Sequence, residues 1–148
     1  MKIKNFARTV TKALLIVVIG AVALIVCLLV FSNIRYNKAT TGITDDNRLR
    51  ITANVGTGSL GSGSSTYTVE NEKVMTFDSE EHLENGIGPG MDCKHLYYFR
   101  PVSEGKTTIT INYRNFHEDT VRSRTYDVTV GGDMSVTYTE SAEKIVKE

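Results

Sequence analysis

The feature that most constrains this chain is an uninterrupted apolar run near its N-terminus. Residues Ala13–Phe31, ALLIVVIGAVALIVCLLVF, contain no charged or strongly polar side chain over 19 positions. At about 1.5 Å per residue, a helix of this length matches the ~30 Å hydrocarbon layer of a bilayer. We therefore predict a single transmembrane helix over residues 13–32.

The distribution of basic residues predicts the orientation of this helix. Four basic residues and no acidic residue precede the apolar run, whereas two basic residues follow it closely. The positive-inside bias therefore predicts a single-pass protein of the cell membrane, with segment 1–12 in the cytoplasm and the rest outside it. A cleaved signal peptide is the alternative, although Ser32-Asn33-Ile34-Arg35 offers no small-residue cleavage site.

The rest of the chain is predicted to be one exported domain with a mildly acidic surface. Without the basic N-terminal segment, 17 acidic side chains oppose 13 basic ones, which leaves a net charge of −4. This balance argues against nucleic acid as a partner, because phosphate binding needs a basic face. Cys27 lies inside the apolar run and Cys93 lies in the domain, so no disulfide is predicted.

Alternation of apolar and polar side chains predicts the fold class. A polar stalk is predicted at residues 33–47, and about seven short strands follow within residues 48–138. The predicted strands cover residues 49–53, 62–70, 73–77, 94–100, 107–113, 124–130 and 134–138. This pattern favours an all-β fold, namely an immunoglobulin-like antiparallel β-sandwich, with a small barrel as the alternative. The polar tail, 139–148, is predicted to be a short helix or to lack regular structure.

No motif in the domain predicts catalysis or a cofactor. Gly56–Gly61 matches the glycine pattern of a dinucleotide-binding loop, but a predicted strand follows where that motif requires a helix. The glutamates between Glu80 and Glu84 are interpreted as a solvated loop face. The histidines, which are scattered without a second metal ligand at suitable spacing, are His82, His95 and His117. We therefore predict a protein that is not an enzyme, with no metal, cofactor or small-molecule substrate.

Three loops of unusual composition indicate a binding surface. They are Asn54–Ser65, Glu84–Asp92 and Arg114–Arg122. Strands of a sandwich run alternately up and down, so loops separated by two strands emerge at the same end. We therefore expect these loops to form one composite surface suited to a protein partner.

Four segments resemble the chagasin family, the immunoglobulin-like protein inhibitors of papain-type cysteine peptidases. They are TYTVENEKVM at Thr66–Met75, GIGPG at Gly86–Gly90, LYYFRPVSEGKTTITINYRNF at Leu96–Phe116 and TYDVTV at Thr125–Val130. The resemblance covers roughly residues 48–130. In that family, three loops form a wedge that closes the peptidase cleft without becoming a substrate.

The resemblance implies which residues would contact a peptidase. They are Asn54, Gly56, Thr57 and Gly58 in the central loop, and Gly86, Gly88, Pro89, Gly90, Arg114, Asn115 and Phe116 in the flanking loops. Two family features are replaced, because the central loop lacks its proline and Arg-Asn-Phe stands in place of Arg-Pro-Trp. Two hypotheses follow: a membrane-anchored inhibitor of cysteine peptidases, or a non-inhibitory interaction or structural ectodomain of a membrane complex.

Overall fold

The computed structural model describes residues 2–58, 61–85, 92–114 and 120–146. These residues form one helix, α1, at Lys2–Lys38, and ten strands. The strands are β1 Gly42–Ile43, β2 Leu49–Gly58, β3 Gly61–Ser62, β4 Ser64–Val69, β5 Met75–Glu84, β6 Asp92–Pro101, β7 Gly105–Arg114, β8 Val121–Val130, β9 Val136–Glu140 and β10 Lys144–Val146. This mostly β architecture, with one apolar N-terminal helix, confirms the predicted fold class at that level.

The helix carries the apolar run and leaves it uncovered. Its segment Leu14–Lys38 is long and apolar enough to cross a membrane, and an 18-residue window of this segment has a mean hydropathy of 3.4 and is not buried against the rest of the chain. Every side chain from Leu14 to Phe31 is exposed. An exposed apolar surface of this size is compatible with membrane anchoring.

The strands form two antiparallel sheets. In the first sheet the order is β1-β2-β6-β5, with β3 also paired to β2. In the second sheet the order is β10-β8-β7-β4, with β9 also paired to β8. The chain passes from the first sheet to the second between β3 and β4, so strands close in sequence lie in different layers.

The alternation seen in the sequence becomes the core between the sheets. Along β2, for example, Leu49, Ile51, Ala53 and Val55 are buried, whereas the residues that alternate with them are not. Side chains from both sheets meet there: Tyr67 of β4 stacks on Phe77 of β5 with ring centroids 4.7 Å apart. Period-two burial of this kind is what holds two sheets face to face.

Three local predictions were wrong. The glutamates assigned to a loop lie on β5, which continues to Glu84, because pairing with β6 extends the strand beyond its apolar half. The long Gly/Ser loop is shorter than predicted, because Thr57 pairs with Ser62 and Gly58 with Gly61. The tail contains a strand, β10, whose exposed residues are held by pairing with β8.

Candidate functional site

The described ends of the three predicted loops lie at one end of the two sheets. In the first sheet, β2 and β6 pair there through Gly56 and Asp92, and Glu84 pairs with Cys93 one position along. In the second sheet, Ser64 pairs with Arg114 and Tyr113 pairs with Arg122. We call this the proximal end, defined by Gly56, Glu84, Asp92, Arg114 and Val121. The alternating strand directions predicted this convergence.

Gly63 joins the two sheets at the proximal end. Its backbone N–H donates to the carbonyl oxygen of Gly56, with an N···O distance of 3.2 Å. A Cβ atom at this position would lie 2.3 Å from the carbonyl oxygen of Arg114 and 3.2 Å from Cβ of Val55. Only glycine allows strands of the two layers to approach this closely.

The structure places the predicted contact residues in different settings. Asn54 and Gly56 lie within β2, where they pair with Lys94 and Asp92 of β6. Thr57 and Gly58 form the end of the hairpin with β3, and Arg114 ends β7. The remaining predicted contact residues, Gly86, Gly88, Pro89, Gly90, Asn115 and Phe116, lie outside the described residues.

A cleft of about 330 Å³ opens between the sheets beside the proximal end. Asn54, Gly56 and Asp92 line its first-sheet side, and Arg122 and Arg124 line its second-sheet side. Two of the predicted contact residues therefore border a polar cleft. Clefts of this size can accept a side chain or a small polar ligand.

Acidic side chains near the C-terminus bind the two arginines of this cleft. Glu143 contacts Arg122 at 3.2 Å and Arg124 at 3.1 Å, and Glu140 contacts Arg124 at 2.8 Å. All four side chains are partly exposed, so each ion pair contributes at most about 1 kcal/mol to stability. The network mainly fixes the side-chain positions at the mouth of the cleft.

A polar cluster connects β4 with β6 near the proximal end. The hydroxyl of Ser65 is 2.6 Å from Nδ1 of His95 and 2.7 Å from the hydroxyl of Tyr97. Burial lowers the pKa of His95, and the neighbouring His82 lowers this pKa further. The carboxylate of Glu80 raises it and so offsets part of the shift. Burial also raises the pKa of the Tyr97 hydroxyl. The cluster is therefore neutral at pH 7 and serves as a hydrogen-bonded contact between the layers.

The histidines that seemed scattered in the sequence include one adjacent pair. His82 and His95 face each other across β5 and β6, and their rings stack with centroids 4.0 Å apart. Glu80 is 3.7 Å from Nε2 of His82, and both of these side chains are about half exposed. Among the described residues, no group of three or more His, Cys, Asp or Glu side chains could hold a metal ion.

The last turns of α1 are docked on the outer face of the first sheet. Tyr36 and Ala39 are buried there, with 8% and 3% of their surface exposed. The ammonium group of Lys94 donates to the carbonyl oxygens of Tyr36 and Ala39, at 2.8 and 3.1 Å, and lies 4.2 Å from the Tyr36 ring centroid. Arg35 forms an ion pair with Glu81 of β5. The segment predicted as a stalk is therefore held against the domain.

The same docking places the proximal end beside the apolar run. The hydroxyl of Ser32 donates to the backbone carbonyl oxygen of Glu84 at 3.4 Å, and the side-chain amide nitrogen of Asn33 donates to the side-chain oxygen Oδ1 of Asn85 at 3.0 Å. Ser32 directly follows Phe31, the last residue of the run. The part of the domain where the three loops begin and end is therefore in contact with the residues that directly follow the apolar run of α1.

Sequence reasoning missed the residues that create this arrangement. Tyr36, Lys94 and Glu143 carried no motif, because each acts through a partner far away in the chain. A weak signal was present, since Tyr36 and Ala39 are three positions apart and share one helix face.

No protein-family model, curated protein or solved structure matches this chain.

Proposed function

We propose that this protein is a single-pass ectodomain that binds another protein at the membrane surface through its proximal end. One observation carries the proposal: Ser32 and Asn33 contact Glu84 and Asn85, so the converging loop ends face the bilayer. The positive-inside charge bias supports a domain outside the cytoplasm. The two antiparallel sheets and the crossing at Gly63 support an immunoglobulin-like sandwich as its architecture. This is the second of the two hypotheses from the sequence, and it involves no catalysis.

The distance between the proximal end and the bilayer follows from helix geometry. If the hydrocarbon layer ends near Phe31, Ser32 and Asn33 are within about 3 Å of it along the helix axis. The polar headgroup layer is roughly 5 to 8 Å thick on each side. The ends of β5 and β6 thus lie at the depth of the headgroups, where another membrane protein is within reach.

The clearance is too small for a soluble enzyme. A globular peptidase of about 200 residues is roughly 40 Å across. While the helix is docked, such a molecule cannot enter between the proximal end and the membrane. This geometry favours a membrane-embedded or juxtamembrane partner over the cleft of a soluble peptidase.

Inhibition of a cysteine peptidase is the second candidate function. It is favoured by the chagasin resemblance and by the convergence of the three loop ends at one end of the sheets. It requires release of α1 from the sheet, which would turn the proximal end away from the bilayer. The two candidates therefore differ in whether the helix must undock.

Fluorescence quenching by lipids tests the orientation. A fluorophore attached at Glu84→Cys in the full chain is expected to be quenched by spin-labelled headgroups in nanodiscs. The matched position is Lys106→Cys, near the opposite end of the sheets, because β7 spans about 30 Å between Gly105 and Arg114. Both variants retain Cys27 in the helix and the buried Cys93. Equal quenching at the two positions would refute the orientation.

Photo-crosslinking and peptidase inhibition then separate the two functions. A photoreactive residue at Glu84 is expected to cross-link one discrete membrane protein in cells, whereas the same group at Lys106 is not. The full chain in nanodiscs is expected to leave papain fully active at micromolar concentration. Stoichiometric papain inhibition by the docked full chain would replace the first candidate by the second.

A further inference from the structure

A groove separates the end of α1 from the outer face of the first sheet. It has a volume of about 360 Å³, within the range of ligand-binding sites. On the helix side it is lined by Phe31, Ile34, Arg35 and Lys38, and on the sheet side by Arg50 and Leu83, among others. The groove is therefore apolar at one end and charged at the other.

The apolar end of the groove faces the bilayer. Phe31 closes the apolar run, and its side chain and that of Ile34 are 66% and 47% exposed. Leu83 lies across from them on β5, one residue before the contact between Glu84 and Ser32. These three side chains continue the lipid-facing surface of the helix up onto the sheet.

The charged end of the groove carries an excess of cations. Arg35 forms an ion pair with Glu81. Glu81 is the one acidic side chain among the described residues that line the groove. Arg50 donates to the carbonyl oxygens of Thr40, at 2.7 Å, and Lys38, at 3.5 Å. Carbonyl groups do not neutralise its charge.

No ion pair in the described part of the chain neutralises Lys38 or Arg50. Lys94 lies nearby, and its pKa is lowered by burial and by repulsion from Arg50. Burial is the larger of these two causes, and the repulsion shows that Arg50 and Lys94 lie close enough for their charges to interact. The site therefore has a local positive charge available for an anion.

The side chains of the cations on the helix reach back to the depth of lipid phosphates, because side chains on a helix point toward its N-terminus. Arg35 and Lys38 lie four and seven residues beyond Phe31, which corresponds to about 6 and 10 Å along the helix. The headgroup layer extends roughly 5 to 8 Å from the hydrocarbon. An acyl chain beside Phe31, Ile34 and Leu83 would thus place its phosphate among Arg35, Lys38 and Arg50.

We propose that this groove binds one anionic phospholipid of the outer leaflet, with its acyl chain against Phe31, Ile34 and Leu83 and its phosphate at Lys38 and Arg50. The proposal rests on the membrane anchoring proposed above, but not on the protein partner. The lipid would link the helix to the sheet and hold the proximal end at the membrane surface.

Lipid titration of the full chain tests the groove. In neutral detergent micelles, native mass spectrometry with phosphatidylglycerol is expected to show one tightly bound lipid per chain, and phosphatidylcholine to bind at least tenfold more weakly. Each basic side chain near an anionic headgroup contributes a factor of about five. Lys38→Gln should therefore weaken phosphatidylglycerol binding about fivefold, and Lys38→Gln combined with Arg50→Gln about thirtyfold.

The matched control removes two cations from the opposite end. Lys73 and Lys106 are exposed there, and their replacement by Gln should leave lipid binding unchanged. Circular dichroism identifies any variant that fails to fold. Lys38→Gln is the variant expected to fold normally, because the Lys38 side chain has no hydrogen bond or ion pair in the described structure. If the double variant does not fold, the lipid affinity of Lys38→Gln alone tests the proposal.

Three results would overturn the proposal: equal affinity for both lipids, equal loss in the control, or displacement of the lipid by inorganic phosphate at similar concentration. Extraction of the full chain from membranes by alkaline carbonate is a separate measurement. If carbonate extracts the chain, the anchoring itself fails. If the chain stays inserted but shows no lipid preference, only the lipid site fails.

Discussion

Replacing Gly63 with alanine should destabilise the domain strongly. The added Cβ would lie 2.3 Å from the carbonyl oxygen of Arg114. A carbon and an oxygen atom approach to about 3.3 Å, so β4 and β7 must separate locally by about 1 Å. Both contacting groups are held by strand pairing, and no flexible side chain can yield.

The cost of this change follows from the displacement. A shift of about 1 Å lengthens an adjacent N–H···O contact from about 2.9 Å to beyond 3.5 Å, which breaks it. One or two lost hydrogen bonds cost about 1 kcal/mol each, and the overpacking adds about 1 to 3 kcal/mol. We expect the free energy of unfolding to fall by about 2 to 4 kcal/mol.

Thermal unfolding of the full chain in detergent, followed by circular dichroism of the β-sheet signal, measures this loss. For a domain of about a hundred residues, the expected fall in Tm is at least 10 °C. Gly42→Ala is the matched control, because a Cβ at Gly42 meets nothing within 4 Å. Equal Tm values for the two variants would refute the close crossing of the sheets at Gly63.

Three further predictions test the cluster, the docking and the core. Burial lowers the pKa of His95 in the folded chain. As the pH falls, this imidazole is therefore protonated near pH 6.5 in the unfolded chain but only at lower pH in the folded chain. The free energy of unfolding should therefore fall as the pH drops from 8 to 5. Denaturant unfolding of His95→Gln should show a smaller fall, and an unchanged pH dependence would contradict this reasoning. Lys94→Met removes two charge-assisted hydrogen bonds to the end of α1, and such bonds contribute about 1.5 to 3 kcal/mol each. Amide hydrogen exchange of residues 34–38 should therefore accelerate about tenfold or more. The control Lys106→Met, far from the helix, should leave the exchange rate unchanged. Phe99→Ala empties a fully buried site between the sheets and should lower the free energy of unfolding by about 3 to 5 kcal/mol. Urea titration measures this loss. A loss below about 1 kcal/mol would show that Phe99 is not in the core.

The sequence alone determined the features that depend on local pattern. The apolar run of 19 residues predicted a helix that is long and apolar enough to span a membrane, because a hydrocarbon layer of ~30 Å requires about 20 apolar residues. Period-two alternation identified the seven main strands, because each side chain of a strand faces the opposite way from its neighbour. Five of these strands, β2 and β5 to β8, proved longer than predicted, since hydrogen-bonded pairing continues where the alternation is weak.

Only the tertiary structure decided which residues meet. Nothing near Ser32 in the sequence indicates Glu84, which lies 52 residues away, and nothing near Arg124 indicates Glu143. Such contacts arise when two sheets and a helix pack, and their energies depend on distance in space and not on spacing in the chain. For that reason the convergence of the described loop ends was predictable from strand direction, whereas their position beside the apolar run of α1 required the packed structure.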